Sequence, residues 1–189
     1  MIINDDIMFD CGVPFSKIRE DLYDIKYLIL THIHSDHMNK QTLIQINKKF
    51  PHIMLIGNYE VSQAWIVDRI ANAGFNIETE DYIFTPFEAI HDVLTYGYTF
   101  EVEGKKIIYC TDTASLENAP DEKYDYFFIE SNHDEAKLEA IRGSKKGSYD
   151  PYLSGKRHLS TQQAKGFFYM HRRDRDSQLI ELHKSSRFY

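Results

Sequence analysis

Short apolar runs separated by polar turns recur along the whole chain. Ile7–Phe9, Tyr27–Thr31, Ile53–Gly57, Tyr82–Phe84, Tyr96–Val102, Lys106–Cys110, Tyr124–Glu130 and Gln178–Leu182 read as strands, because they are brief, apolar or alternating, and bounded by turn residues. Glu103-Gly104 between two alternating runs predicts a hairpin turn. Asn39–Phe50 and Glu60–Gly74 instead carry apolar residues three and four apart, which puts them on one face of a helix, and Gly74 supplies a stop. Asp134–Arg142 predicts a short third helix. Ser160 followed by Gln163 has the form of a capping box and opens a helix through about Met170. Strands and helices mix throughout, so the fold class is α/β or α+β, and 189 residues suit a single domain spanning 1–189.

Composition narrows the class. At 42% hydrophobic and 14% aromatic the chain can bury a core, which excludes global disorder. No apolar run approaches the roughly 18–20 residues of a membrane helix. The opening MIINDDIMFDC has no basic region followed by an apolar one, so a cytoplasmic protein is expected. Cys11 and Cys110 are too few for a disulfide framework and read as buried, reduced thiols. The net charge of −7 averages two unlike parts. Residues 137–189 hold 12 Lys and Arg against 5 Asp and Glu, a balance of +7, which leaves −14 for the rest. A basic final third suits an anionic substrate, although a solvated face is the plainer use of such charges. Arg142–His158 is rich in Gly, Ser and Lys and reads as a long irregular segment. Its Arg142, Lys145 and Lys146 could follow a nucleic-acid backbone or simply face water.

The strongest chemical signal is Thr31-His32-Ile33-His34-Ser35-Asp36-His37, directly after the apolar run YLIL. Packing does not explain three imidazoles and a carboxylate at the end of a buried strand, since such groups need partners there. Imidazole nitrogen and carboxylate oxygen are ligands for borderline divalent metals. His32 and His34, two apart, point the same way if the loop stays extended, and Asp36 and His37 can then face a second ion. The bland alternative is a polar loop that holds several histidines by chance.

HxHxDH after a buried strand resembles the signature of the metallo-β-lactamase superfamily. Other segments fit the same resemblance: Phe9-Asp10-Cys11-Gly12, Ala89-Ile90-His91-Asp92, Tyr109-Cys110-Thr111-Asp112-Thr113, and the tail from Leu179 to Phe188 that contains His183. The tail is similar to the ending of the ribonuclease Z branch, and the segments Asp125–Asp134 and Arg157–Ala164 are similar to ribonuclease Z and the YycJ-like exonucleases. The resemblance implies a four-layer αββα sandwich with two divalent ions, zinc first, manganese or iron as alternatives. It implies His32, His34 and His91 on one ion, Asp36, His37 and His183 on the other, and Asp112 as the bridge. Taken singly, His91 could be a core or surface histidine, and Asp112 could cap a turn. His183 competes with His158 and His171, but only His183 ends an apolar strand. Glu130 and His133 would hydrogen-bond the ligands rather than bind metal. Trp65 and the Tyr- and Phe-rich stretches read as core.

Three departures shape the expectation. Lys40 stands where the family often has glycine after the DH histidine. Only 20 residues separate His91 from Asp112, which leaves little room for the tRNA-binding arm of some ribonuclease Z enzymes. His34, rather than glutamate, sets the chain apart from the iron-based flavoprotein branch.

Two ions about 3.5–4 Å apart would activate a shared water, and Asp36 could orient it. The electrophile is then chosen by the surroundings. Lys156, Arg157 and Ser160 lie where a helix begins and are candidates for binding phosphate. His158 could hold a phosphate oxygen or protonate the leaving oxygen. The leading expectation is a phosphodiesterase, and within that class a nuclease acting on DNA or RNA, with a homodimer possible. The alternatives are a hydrolase of small lactams, lactones or thioesters, and a non-catalytic metal-stabilised binding module.

Overall fold

The computed structural model describes residues 1–144, 147 and 150–189. The chain divides into two compact units, Met1–Ile77 and Glu78–Tyr189. In the first, β1 (Ile2–Ile3), β2 (Ile7–Phe9), β3 (Tyr27–Leu30), β4 (Met54–Gly57) and β5 (Arg69–Ile70) lie side by side in that order. β1 pairs antiparallel with β2, and the rest run parallel. Parallel neighbours need crossover connections, and α1 (Lys40–Lys49) and α2 (Tyr59–Ala64) lie in those after β3 and β4. Every residue of β3 is buried, as expected of a central parallel strand covered on both faces. Leu28 and Leu30 of β3 share a core with Met8, Leu43, Ile46 and Val61, and Trp65 packs against it. Asn39 and Asn58 cap the two helices by accepting from the N–H groups of Thr42 and Val61.

The second unit carries β6 (Ile77–Glu78, where the division falls), β7 (Ile83–Ala89), β8 (Thr95–Val102), β9 (Lys105–Cys110), β10 (Tyr126–Glu130) and β11 (Gln178–Leu182). The order across the sheet is β11-β10-β9-β8-β7-β6. β7, β8 and β9 alternate in direction, whereas β9, β10 and β11 are parallel. Glu103 and Gly104, with φ of 50° and 74°, make the two-residue turn from β8 to β9, the left-handed pair that matches strand twist. Gly97 is required by packing: a Cβ there would lie 2.3 Å from the Phe87 ring. α3 (Glu135–Glu139), α4 (Pro151–Gly155) and α5 (Thr161–His171) follow β10. Phe127 and Ile129 of β10 share a core with Leu159, Ala164 and Phe167. Two mixed sheets with accompanying helices make an α+β fold.

Most expected elements form within a residue or two of their predicted bounds, but the strand expected over Tyr82–Phe84 runs from Ile83 to Ala89. The helix expected over Glu60–Gly74 ends at Ala64. Asp68 accepts from the Leu55 N–H at 2.7 Å, and its own N–H donates to the Leu55 carbonyl. Those bonds draw the following residues out as β5 beside β4. The expected third helix is trimmed to Glu135–Glu139. Of the irregular segment, residues 145, 146, 148 and 149 lie outside the described residues, so the expectations for Lys145 and Lys146 fall there. Within the rest α4 forms, with Asp150 accepting from the N–H groups of Tyr152 and Leu153 and Pro151 opening the first turn. Both cysteines are buried and neither is in a disulfide, and burial pushes the Cys11 thiol up to about 12. Among the described residues no helix is long and apolar enough to cross a membrane.

Candidate functional site

In the first unit the carboxyl ends of the parallel strands deliver the chemistry. Phe9 pairs with Ile29 and Leu30 with Gly57, so Asp10, the Thr31–His37 loop and Asn58 emerge at one end of the sheet. Asn58 Nδ2 donates to the Thr31 carbonyl at 3.1 Å, which ties the loop to α2. The Cys11 N–H donates to the His37 carbonyl at 2.8 Å. Gly12 lies so close to the loop that a Cβ would come within 1.6 Å of the Asp36 carbonyl oxygen.

Asp10 organises the imidazoles. It sits at φ 60°, in the left-handed region, directly after β2. Its Oδ1 accepts from the Thr31 N–H and hydroxyl, and its Oδ2 faces His37 Nδ1 at 2.8 Å. The proton assignments follow from the acceptors. An ionised Asp10 requires His37 to carry its proton on Nδ1, leaving the lone pair on Nε2. The Thr31 hydroxyl spends its hydrogen on Asp10 and so accepts from His32 Nδ1, 2.9 Å away. His32 Nε2 then also carries a lone pair, and it lies 3.1 Å from His34 Nδ1. Two imidazole nitrogens on one tetrahedral ion stand roughly 3.3 Å apart, given metal–nitrogen bonds of about 2.0–2.1 Å. The spacing of His32 and His34 therefore fits a shared divalent ion. Asp36 is exposed, with Oδ2 3.9 Å from His37 Nε2.

The second unit repeats the plan. Cys110 pairs with Ile129 and Glu130 with Leu182, so Asp112, Glu130 and His183 emerge together. β7 runs in the same sense as β9, and its end is tied to the Asp112 loop by Ile90 N–H to Thr113 Oγ1 and Ala114 N–H to the Ile90 carbonyl. That places the loop of His91 beside Asp112. The His91, His158 and His183 rings follow one another at centroid spacings of 5.7 and 5.1 Å. Asp112 (φ 49°) and His183 (φ 52°) share the left-handed backbone of Asp10. A non-glycine residue held there costs energy, and such residues gather at functional sites.

Glu130 is the hub of this cluster and is fully buried. Its Oε2 accepts from the N–H groups of Thr113 and Leu159 at 2.9 and 3.1 Å. Its Oε1 faces Nδ1 of His158 at 2.8 Å and of His183 at 2.7 Å. Burial pushes this carboxyl up, yet the bonds from the two histidines outweigh it and hold the group below its usual range. His183 Nδ1 also lies 2.5 Å from Asp112 Oδ1. Burial lowers His183, but the two carboxylates prevail and raise it to about 10. With Nδ1 turned to Glu130, Nε2 is the remaining coordinating or proton-carrying atom of each ring. Asp112, Glu130, His158 and His183 each place one ligand-type atom within 4.8 Å of the others.

The described candidates for metal and phosphate binding fall at one of these two strand ends or on the segments beside them, whereas His171 lies at the other end of β10, its carbonyl accepting from the Tyr124 N–H. His133 lies beside the second cluster but turns to a backbone role, with its carbonyl accepting from the Thr161 N–H. Its buried Nδ1 has no hydrogen-bond partner among the described residues, and burial, then Lys156, push it down. Ser160 is buried and fully engaged: its hydroxyl donates to Glu135 at 2.7 Å and accepts from the Gln163 N–H at 3.0 Å. That is a capping-box arrangement, and it leaves no hydroxyl hydrogen for an anion. Arg157 pairs with Asp92 at 3.3 Å, and Asp92 Oδ1 in turn lies 3.1 Å from His91 Nε2. Lys156 is exposed above the Tyr152 ring. Arg142 pairs with Glu139 and donates to Tyr152. His171 stacks on Phe167 at 4.2 Å. The sequence reading missed the roles of Asp10 and Asp92. Both had a signal, an acidic residue directly after a buried strand and one directly after a candidate ligand.

Comparison with known proteins follows the same lines. A family model described as the beta-lactamase superfamily domain matches residues 7–131. A comparison with curated protein sequences found no match. Among solved structures, human tRNase Z, short form, is 16% identical with a TM-score of 0.69, over 99% of this chain and 85% of that one. A diphosphatase from the PhnP family is 17% identical with a TM-score of 0.63, over 96% and 68%. The metallo-beta-lactamase fold protein YhfI from Bacillus subtilis is 15% identical with a TM-score of 0.62, over 98% and 77%.

Proposed function

Because the chain belongs to the beta-lactamase superfamily, a membership that implies a metal-dependent hydrolase, we propose that it is a two-metal phosphodiesterase acting on nucleic acid or a related phosphodiester. The ligands we propose are those the family resemblance implies: His32, His34, Asp36, His37, His91, Asp112 and His183. Divalent ions held there supply a nucleophile from water at neutral pH and offset charge developing on the reacting oxygens.

The chain's own residues do the rest. Asp10 and Glu130 hold the tautomers of His32, His37 and His183 so that Nε2 faces outward as a ligand. Asp36, exposed beside His37, is placed to orient the attacking water. His158 is the acid: Glu130 orients its ring by accepting at Nδ1, and Nε2 can pass a proton to the leaving oxygen. The pair Glu130–His158 is the observation that carries the phosphodiester choice, since an alkoxide leaving from phosphorus needs that proton. The tRNase and diphosphatase among the structural neighbours support it, as does the basic final third of the chain.

The test is a panel. Chain loaded with zinc, manganese or iron is given single- and double-stranded DNA, RNA and a bis-aryl phosphate, beside a lactam, a lactone and a thioester. Phosphodiester cleavage is expected. His158→Ala should slow nucleic-acid cleavage far more than bis-aryl phosphate cleavage, because an aryloxide leaves without help. Turnover of the thioester or lactam without any phosphodiester would overturn the assignment.

A further inference from the structure

His158 and His183 also face a cavity of about 540 Å³ within the second unit. Its other walls are Asn132, residues 151, 154 and 155 of α4, and the tail from Lys184 to Phe188. Among the described residues no Asp or Glu lines it. Among the described residues Arg187 has no ion-pair partner, and the hydroxyls of Ser154 and Ser186 have no hydrogen-bond partner, whereas Lys184 is engaged by Glu181 at 3.0 Å.

The tail is held in this shape. The Ser185 N–H donates to the Asn132 carbonyl at 2.8 Å and the Asp134 N–H to the Phe188 carbonyl at 2.7 Å. Asn132 Nδ2 donates to the His183 carbonyl at 2.8 Å, and Ser185 Oγ accepts from the N–H groups of Arg187 and Phe188. Residues 186 and 187 are thus presented on a fixed loop. A guanidinium and two hydroxyls, with no carboxylate, form a donor set for a tetrahedral oxyanion. The cavity lies within the size range of small-molecule sites and exceeds what one phosphate fills.

We propose that this cavity binds a phosphomonoester on the substrate, one separate from the phosphodiester being cut, with Arg187 as the principal contact and Ser154 and Ser186 as further donors. The hydrolase would thereby favour phosphorylated ends or small phosphorylated diesters over internal bonds. The inference replaces the helix-start site expected at Ser160, whose hydroxyl is already used. Its kinetic consequence rests on the phosphodiester assignment, but its binding consequence does not.

The experiment has two arms on the metal-loaded chain. In the first, calorimetric titration with inorganic phosphate and with a mononucleotide compares wild type, Arg187→Gln and Ser186→Asp. Both variants change exposed side chains. Binding of both probes that weakens about tenfold or more in each variant is expected. Equal affinity in all three proteins overturns the proposal, since a phosphate held only by the metals would ignore Arg187. In the second, kcat/KM is compared for a dinucleotide with and without a terminal phosphate. Wild type should favour the phosphorylated form about tenfold through KM, and Arg187→Gln should bring the ratio near one. A wild-type ratio near one overturns the proposal. If no phosphodiester of the panel is cleaved, the phosphodiester assignment fails, and the titration alone decides whether the cavity is a phosphomonoester site.

Discussion

Glu130→Gln is the substitution that probes the second cluster most sharply, because it keeps shape and changes only the charge and the donor–acceptor pattern. The carboxylate accepts four hydrogen bonds, two from backbone N–H groups and two from imidazoles. An amide offers one accepting oxygen and one donating nitrogen. Either the N–H groups of Thr113 and Leu159 meet the amide nitrogen, or the two Nδ1 atoms do. If the backbone pair loses its acceptor, two buried donors are orphaned at about 1–3 kcal/mol each, so about 2–6 kcal/mol in all. If the imidazoles lose it, their protons move to Nε2, and His183 Nε2 ceases to be a ligand. The fold survives the first outcome only in part, since a domain has about 5–15 kcal/mol in total. Urea denaturation of the metal-free protein should show a midpoint lower by about 1–3 M for a slope near 2 kcal/mol/M. Chelator competition should show metal affinity lower by about 10–100-fold. A variant within about 0.5 kcal/mol of wild type that also keeps its metal affinity would refute the hub role of Glu130.

Other perturbations follow from the same geometry. Gly12→Ala should displace the His32–His37 loop, since the new Cβ meets the Asp36 carbonyl, and lower stability by about 1–3 kcal/mol together with metal content, read by thermal melting and elemental analysis. Asp10→Ala should weaken metal binding by about 10–100-fold in chelator competition, because Thr31 and His37 lose the acceptor that sets their protons. Asp125 is nearly buried; burial raises its carboxyl, but the Lys106 N–H and Arg173 outweigh it and hold it below its usual value. A group whose folded pKa is depressed stabilises above its unfolded pKa and loses that contribution as pH falls. Wild type should therefore lose more stability than Asp125→Asn between pH 5 and 2, and parallel acid titrations of the two would count against it.

Much of the fold was legible in the sequence, and the parts that were not have identifiable causes. Buried strands advertise themselves as largely apolar runs, so β3, β9 and β10 and the polar residues at their ends could be placed, and the half-buried edge strand β11 was still apolar enough to be read. Helical spacing misled over Glu60–Gly74: Ile66 and Ile70 fit a helix face, yet they are 88% and 50% exposed, because Asp68 joins β4 instead. The candidate ligands stood out because an imidazole at the end of an apolar strand is costly to keep there unless it finds a partner. The carboxylates behind them were harder to see. Asp10 and Glu130 reveal their roles only through the distances to Thr31, His37, His158 and His183. Arg187 was hidden because what marks it, the lack of a carboxylate partner among the described residues, is a property no linear pattern records.

On the proposed function, this chain grips a pair of divalent ions with residues drawn from His32 to His183. Elemental analysis of the purified, metal-loaded chain tests it most directly. About two ions per chain are predicted, falling to one or none in Asp112→Ala and in His37→Ala. A wild-type chain that retains no metal, or variants that retain the full complement, would contradict it.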